Sequence, residues 1–412
     1  MTIHRVLILE DQPFQRGFLA NMFSAVPGVA VDTSGDAAHA VAMCQLTPYD
    51  LVVSDLMMPG IDGIQFIQSL ASHEHRPMLA LVSSASQRMM ASARLMAESL
   101  GLTVLGILAK PISPGDVTGL IELLRQARRD SAAGPRRVEP PLSAGRERLL
   151  QAIDNDEITA WFQPKKSLDS GLVVAAEALV RWRHPELGTQ EAARFLPLVE
   201  RHGLEAALLR HILKASVQAQ ARWRDLGFRI PISINLPPHL LEQRDLPDEL
   251  LEITLDQGGT AADLCFELME TSTTDHVSDY YAGACRLRMK GFGLAQDDFG
   301  QGLSSVHNLV NTPFTEVKID RALVRGCARD PALRNALATV VALGSKLGLN
   351  IVAEGVETEA ELATLRKLGC NQVQGFLISR AVPADSFAAL LDREKAAHDR
   401  AGLGQPGAHA PH

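Results

Sequence analysis

The sequence predicts an α/β protein in two parts, an N-terminal doubly wound sheet followed by a TIM-like (β/α)8 barrel. Three observations carry that expectation. Short apolar runs alternate with amphipathic helical patterns through residues 5 to 125, the mark of a mostly parallel sheet with helices on both faces. A stretch rich in proline, glycine and small residues, DSAAGPRRVEPPLSAG, then interrupts the alternation. From about residue 146 to 395 the alternation resumes and supplies eight strand-like runs in roughly 250 residues, the usual length of such a barrel.

In the first part, RVLILED, DLVVSD and MLALVSS read as buried strands. FLANMFSAV, AAHAVAMCQ and GLIELLRQARR carry apolar residues at three- and four-residue spacing and read as helices. The expected boundaries are a first domain over 1–126, a linker over 127–147 and a barrel over 148–395. The closing segment 396–412 lacks periodicity and is expected to be disordered. The barrel strands are expected in ITAWFQP, VVAAEALVRW, IPISINL, DLCFELME, GLAQDD, EVKIDR, NIVAEGV and QVQGFLI.

Composition narrows the function. A net charge of −8 argues against a broad nucleic-acid footprint. The one basic patch, RQARRD with GPRR, could touch a phosphate backbone but reads better as a solvated domain exit. The start MTIHRVLILEDQ lacks the apolar core and cleavage site of a signal peptide, and no run of about 18 apolar residues suggests a membrane span. Five cysteines, scattered and odd in number, read as reduced core thiols rather than disulfides or zinc ligands. A cytoplasmic protein is expected.

Glu10 and Asp11 end the first strand of the N-terminal part, and Asp55 ends the third. Carboxylates at neighbouring parallel strand ends meet in the crevice where open sheets bind ligands. Three together repel one another and attract a hard cation such as Mg²⁺. Lys110, in LAKPIS, follows the last strand and could reach the same crevice, while Ser83 closes the fourth strand. Ser83 could donate to an anionic oxygen or cap a helix. Asp55 could act as nucleophile toward a phosphoryl group polarised by the metal. Taken together, ED, SDLMMPG, VSS and AKP resemble a two-component response-regulator receiver domain over residues 1 to about 126. The resemblance implies Asp55 as phosphoacceptor, Glu10, Asp11 and Asp55 as the Mg²⁺ site, Ser83 as the switch hydroxyl and Lys110 as the phosphate contact. It also implies a sensor histidine kinase as partner. Ile107 departs from the aromatic residue common three positions before that lysine, which puts the usual hydroxyl–aromatic relay in doubt.

In the barrel, polar residues fall late in otherwise apolar strands: Glu177, Asn235, Glu267, Asp297 with Asp298, Lys318, Glu354 and Gln374. A buried carboxylate costs several kcal/mol unless paired or metal-bound, and barrel strand ends converge on one face. Isolated salt bridges or helix caps explain one or two such positions, but they explain poorly seven at the same end of successive strands. Adjacent strand residues point to opposite faces, so Asp297 and Asp298 can both ligate only if the strand ends and the backbone turns, which FGQG permits. With Glu177, Asn235 and Glu267 they would make a hard-oxygen shell for Mg²⁺ or Mn²⁺. Lys318 could orient water or stabilise charge on a phosphoryl oxygen. Glu354 could contact metal-bound water or assist its deprotonation.

The segments EALVRW, INL, FELME, DDFGQG, KIDR, AEGVE and QVQGF resemble an EAL-type cyclic-di-GMP phosphodiesterase domain over residues 148 to about 390. The resemblance implies hydrolysis of cyclic-di-GMP to linear pGpG, with Glu177, Asn235, Glu267, Asp297 and Asp298 holding metal, two ions in the barrel. It implies Lys318 and Glu354 as catalytic residues, Arg181 and Gln374 at the substrate, and Glu270 anchoring the loop after DDFG. A homo-oligomer is implied too. Met269, Pro237, Gln301 and Leu303 depart from the family pattern, the last two inside that loop. The competing reading is a catalytically silent cyclic-di-GMP receptor, which could afford to lose an inner carboxylate or the lysine; this chain keeps them all. A transcriptional regulator would need a DNA-binding domain, and none remains unassigned.

Overall fold

The computed structural model describes residues 3–73, 75–84, 87–132, 142–269, 277–300 and 306–403. The chain divides into two compact units, Met1–Pro140 and Pro141–His412.

The first unit strings together β1 (His4–Leu9), α1 (Pro13–Ser24), β2 (Val29–Ser34), α2 (Ala37–Leu46), β3 (Leu51–Asp55) and α3 (Gly63–Ala71). It continues with β4 (Met78–Ser83), α4 (Gln87–Ser99), β5 (Val104–Ala109) and α5 (Pro114–Ala132). The five strands are parallel in the order β2-β1-β3-β4-β5. β3, at the centre, is buried at every position, and separate apolar clusters cover the two sheet faces. The VVSD run is therefore continuous in hydrophobicity because both its faces are roofed. Helix α3 starts with a capping box, Asp62 paired with Gln65. Its first residue, Gly63, lies so close to the end of β3 that a Cβ would sit 2.3 Å from the Asp55 carbonyl oxygen. Helix α5 runs through Ala132, into the stretch read as linker.

The second unit is a closed barrel of β6 (Ile158–Ser167), β7 (Val173–His184), β9 (Ile232–Asn235), β10 (Leu264–Met269), β11 (Gly293–Phe299), β12 (Glu316–Ile319), β13 (Asn350–Ala353) and β14 (Gln372–Val373). A short β8 (Gly188–Glu191) pairs onto β7. The order β6-β14-β13-β12-β11-β10-β9-β7 closes by pairing β7 back to β6. One feature departs from a regular (β/α)8 barrel: β6 is antiparallel to both its neighbours. The reason is local. Only residues 168–172 join β6 to β7, and a parallel crossover needs a dozen residues or more. Instead the link turns tightly, with Gly171 at φ +70 and the Ser167 hydroxyl accepting from the backbone N–H groups of Asp169 and Ser170. Reversal of β6 brings the beginning of that strand, rather than its end, to the face where the other strands finish.

Outside the barrel wall, Trp223 stacks on Phe387 at 4.6 Å and meets Phe162 edge-on at 4.9 Å. The Trp223 indole N–H donates to the Ala384 carbonyl, tying down the terminal helix Ala384–Leu403. That helix enters the segment expected to be irregular. Beside β6, β14 is only two residues long, and the chain after it presses on the loop after β13. A Cβ on Gly375 would lie 2.2 Å from the carbonyl oxygen of Val356 and 2.3 Å from its nitrogen. Gly375→Ala is therefore expected to destabilise the barrel by about 1–3 kcal/mol, read as a lower urea midpoint with an unchanged slope.

Candidate active site

Four carboxylates converge on one buried ammonium. Lys318, on β12, places Nζ 2.6 Å from Glu267 Oε2, 2.9 Å from Asp297 Oδ1, 2.8 Å from Glu354 Oε1 and 3.3 Å from Glu177 Oε2. Each comes from a different strand or from the loop after one, so the cluster exists only because the barrel closes. Glu177 is fixed at both oxygens: Asn235 Nδ2 donates to Oε1 at 3.2 Å, and Gln374 Nε2 donates to Oε2 at 2.6 Å. The Asn235 donation leaves that amide's carbonyl oxygen as the atom able to ligate a metal.

The two adjacent aspartates reach the same site by a device that alternation alone does not reveal. Strand β11 does not end at Asp298; it continues to Phe299, with a bulge in its pairing to β12 between Gln296 and Phe299. Asp298 itself takes left-handed backbone, φ +51, a conformation aspartate tolerates better than most side chains. The bulge inserts the extra residue that lets consecutive side chains serve one site. Carboxylate oxygens of Asp297, Asp298 and Glu354 all lie within 4.8 Å of one another.

Charge in this pocket is unbalanced. Burial pushes the Glu177 carboxyl up to about 7, reinforced by Glu267 and opposed by Lys318. Burial likewise carries Glu354 to about 8 and Asp298 to about 6, the latter helped by its neighbour Asp297. Glu267 goes the other way: burial would raise it, but Lys318 and Lys165 hold it at about 2. Lys318 lies well above the usual lysine range, because its four carboxylates outweigh its own desolvation. An all-oxygen donor set with surplus negative charge and a compact carboxylate trio fits a hard divalent cation.

The remaining expected residues fall as follows. Gln374 is buried and also donates to Gln163 Oε1 at 2.9 Å, while its own Oε1 has no hydrogen-bond partner among the described residues. Arg181 shares the inward face of β7 with Glu177, about 13 Å further along the strand. It is half-buried, bonded to the Val180 carbonyl, and its guanidinium is lowered by burial against the pull of Glu191 and Glu177. Glu270, Gln301 and Leu303 lie outside the described residues. Sequence reading missed Gln163, Lys165 and Glu316. Their signal is QPKK and EVK: polar residues at alternate positions of β6 and β12, with Lys165 just past the run ITAWFQP and Glu316 at the start rather than the end of its strand.

In the first unit, carboxylate oxygens of Glu10, Asp11 and Asp55 also lie within 4.8 Å of one another. Lys110 Nζ bonds Glu10 Oε2 at 2.7 Å and Asp55 Oδ2 at 2.6 Å, while the Met57 N–H donates to Asp55 Oδ1. Those carboxylates raise Lys110 above its ordinary value despite the desolvation that opposes them. Ser83 is buried at the end of β4, where its carbonyl accepts from the Lys110 N–H, and the Lys110–Pro111 peptide is cis. Ile107 packs among the apolar residues of one sheet face.

A barrel mouth that gathers carboxylates around a buried lysine defines a divalent-metal hydrolase class of site. The chain belongs to the EAL domain family, matched over residues 146–381, and carries a response regulator receiver domain matched over residues 6–122. It is 33% identical over 386 residues to the cyclic di-GMP phosphodiesterase RocR of Pseudomonas aeruginosa, covering 93% of this chain and 97% of that protein. The bifunctional diguanylate cyclase/cyclic di-GMP phosphodiesterase MucR of the same organism is 34% identical over 242 residues, 58% of this chain and 35% of that one. A solved PaMucR phosphodiesterase in complex with c-di-GMP superposes with a TM-score of 0.54 at 34% identity, covering 58% of this chain and 97% of that chain. No helix among the described residues is long and apolar enough to cross a membrane.

Proposed function

We propose that the chain hydrolyses cyclic-di-GMP to linear pGpG and that phosphorylation of Asp55 regulates the reaction. The observation that carries this reading is Lys318, bonded to four carboxylates at the barrel mouth beside the Asp297, Asp298 and Glu354 trio. The near full-length similarity to a cyclic di-GMP phosphodiesterase supports it. In this reading Glu177, Asn235, Glu267, Asp297 and Asp298 hold two ions, Mg²⁺ or Mn²⁺. Such ions would offset the carboxylate charge that otherwise repels a phosphodiester and would make bound water acidic enough to attack.

The chain's own residues do the rest. Water adds to one phosphorus, and the ribose oxygen leaves with a proton, so one water is consumed per pGpG formed. Lys318 supplies positive charge where a phosphoryl oxygen becomes more anionic. Glu354 stands beside it as a proton acceptor. Arg181 and Gln374 orient the substrate, and Glu270 anchors the loop after β11. In the receiver, Glu10, Asp11 and Asp55 hold Mg²⁺, Lys110 and Ser83 meet the phosphoryl group, and a sensor histidine kinase supplies it. The working form is a homo-oligomer.

The test follows pGpG formation by purified protein with Mg²⁺ or Mn²⁺, with and without a small phosphoryl donor. Turnover that changes on phosphorylation is expected. Asp298→Asn should lose metal-dependent turnover while Asp55 still accepts phosphate. Tight nucleotide binding without turnover in either state would replace the enzyme with a silent receptor.

A further inference from the structure

Below the acidic centre lies a second lysine that the proposed reaction does not use. Lys165 is fully buried, and it comes from β6, the strand that runs against all its neighbours. Gln163 and Lys165 share one face of that strand, so Gln163 meets Gln374 at the site while Lys165 enters one level deeper. Its Nζ bonds Ser233 Oγ at 2.7 Å, Glu316 Oε1 at 2.7 Å and Glu267 Oε1 at 3.0 Å, which occupies all three ammonium hydrogens. Glu316 is held in turn at its other oxygen by Asn350 Nδ2, at 2.7 Å. Space for the ammonium is set by the register. Glu267, Ala295 and Glu316 stand side by side on β10, β11 and β12, and the middle residue contributes only a methyl group.

Glu267 is thus divided between two lysines, Oε1 to Lys165 below and Oε2 to Lys318 above. The two contacts differ in kind. Lys318 shares its charge among four carboxylates at the mouth, and any cation entering there competes with it for Glu267, Asp297 and Glu354. Lys165 belongs to a closed interior set of Ser233, Glu316 and Asn350 that such a cation does not reach. Lys165 is therefore the Glu267 contact that does not depend on what occupies the mouth.

We propose that Lys165, anchored by Glu316 and Asn350, is a positioning residue that fixes Glu267 through Oε1 so that Oε2 alone faces the metal site. The inference rests on the reading of Glu267 as a metal ligand. Outer partners that orient a ligand typically contribute about 10–100-fold to metal affinity.

The experiment compares the full chain with Lys165→Met/Glu316→Gln. The double change removes one positive and one negative charge together, so no interior charge is stranded as it would be in Lys165→Met alone. Mn²⁺ binding is measured by titration calorimetry, and thermal melting is measured in EDTA. The expected result is a melting temperature near that of the unaltered protein with Mn²⁺ affinity about 10–100-fold weaker. Glu316→Gln, which keeps Lys165 but loosens its anchor, serves as the second variant and should show a smaller loss. Unaltered Mn²⁺ affinity in both variants would overturn the inference while leaving the metal reading intact. Failure of the unaltered protein to bind Mn²⁺ would overturn both.

Discussion

Replacing Lys318 with methionine is expected to reduce hydrolysis by at least about 10²–10³-fold, the usual cost of losing one preorganised charge at a reacting oxygen. The same change should alter stability in a way that depends on metal. Lys318 is almost wholly buried and is the one cation within bonding distance of Glu177, Asp297 and Glu354 among the described residues. Breaking a buried ion network by removing one partner typically costs about 3–5 kcal/mol, because the remaining charges stay desolvated. In EDTA the variant should therefore melt well below the unaltered protein. Saturating Mn²⁺ should recover much of that loss, since a cation bound only by the folded state stabilises it by mass action. Equal melting temperatures in EDTA would mean that the lysine does not hold the acidic centre together.

Much of this architecture was legible because both sheets obey simple periodicities. VVSD and MLALVS are near-continuous apolar runs since both faces of a parallel sheet are covered, and seven of the eight barrel strands announced themselves by a polar residue in or just after an apolar run. Two features were not legible, for physical reasons. Strand direction does not appear in side-chain alternation, which reads the same forwards and backwards; only the five-residue link from Ser167 to Val173 carries that information. Taken as parallel, β6 would carry Lys165 toward the mouth, whereas the reversed strand holds it one level below the acidic centre. The second feature is the bulge at Asp297–Asp298. Alternation requires neighbours to face opposite ways, and the escape lies in the left-handed backbone of Asp298 rather than in an early end to the strand. An aspartate pair followed by Phe-Gly suits either solution.

Metal affinity at the barrel should rise steeply between about pH 6 and pH 8, while the stability of the metal-free protein moves the opposite way. Asp298 at about 6, Glu177 at about 7 and Glu354 at about 8 lie above their ordinary values of 3.8, 4.5 and 4.5, chiefly through burial. Because they share Lys318 and face one another, these groups lose their protons as a set. A protonated carboxyl is a poor ligand, so binding must expel its proton, and each proton expelled steepens affinity by up to about tenfold per pH unit. Folding in EDTA obeys the reverse sign. A carboxyl whose folded value is raised binds more protons in the native state than in the unfolded one. Its stabilising contribution is complete below the unfolded value and is lost as pH rises through the folded value. Glu267, held at about 2, has the opposite sign: its stabilising contribution is full above its ordinary value of 4.5 and is lost only as pH falls through about 2. Melting temperature in EDTA is thus expected to decline from about pH 4 to pH 8, whereas with Mn²⁺ the decline should flatten or reverse, because the metal replaces the lost protons. Two parallel curves, with and without Mn²⁺, would show that the carboxylates titrate without the metal sensing them, and the cluster around Lys318 would then be a structural ion network alone.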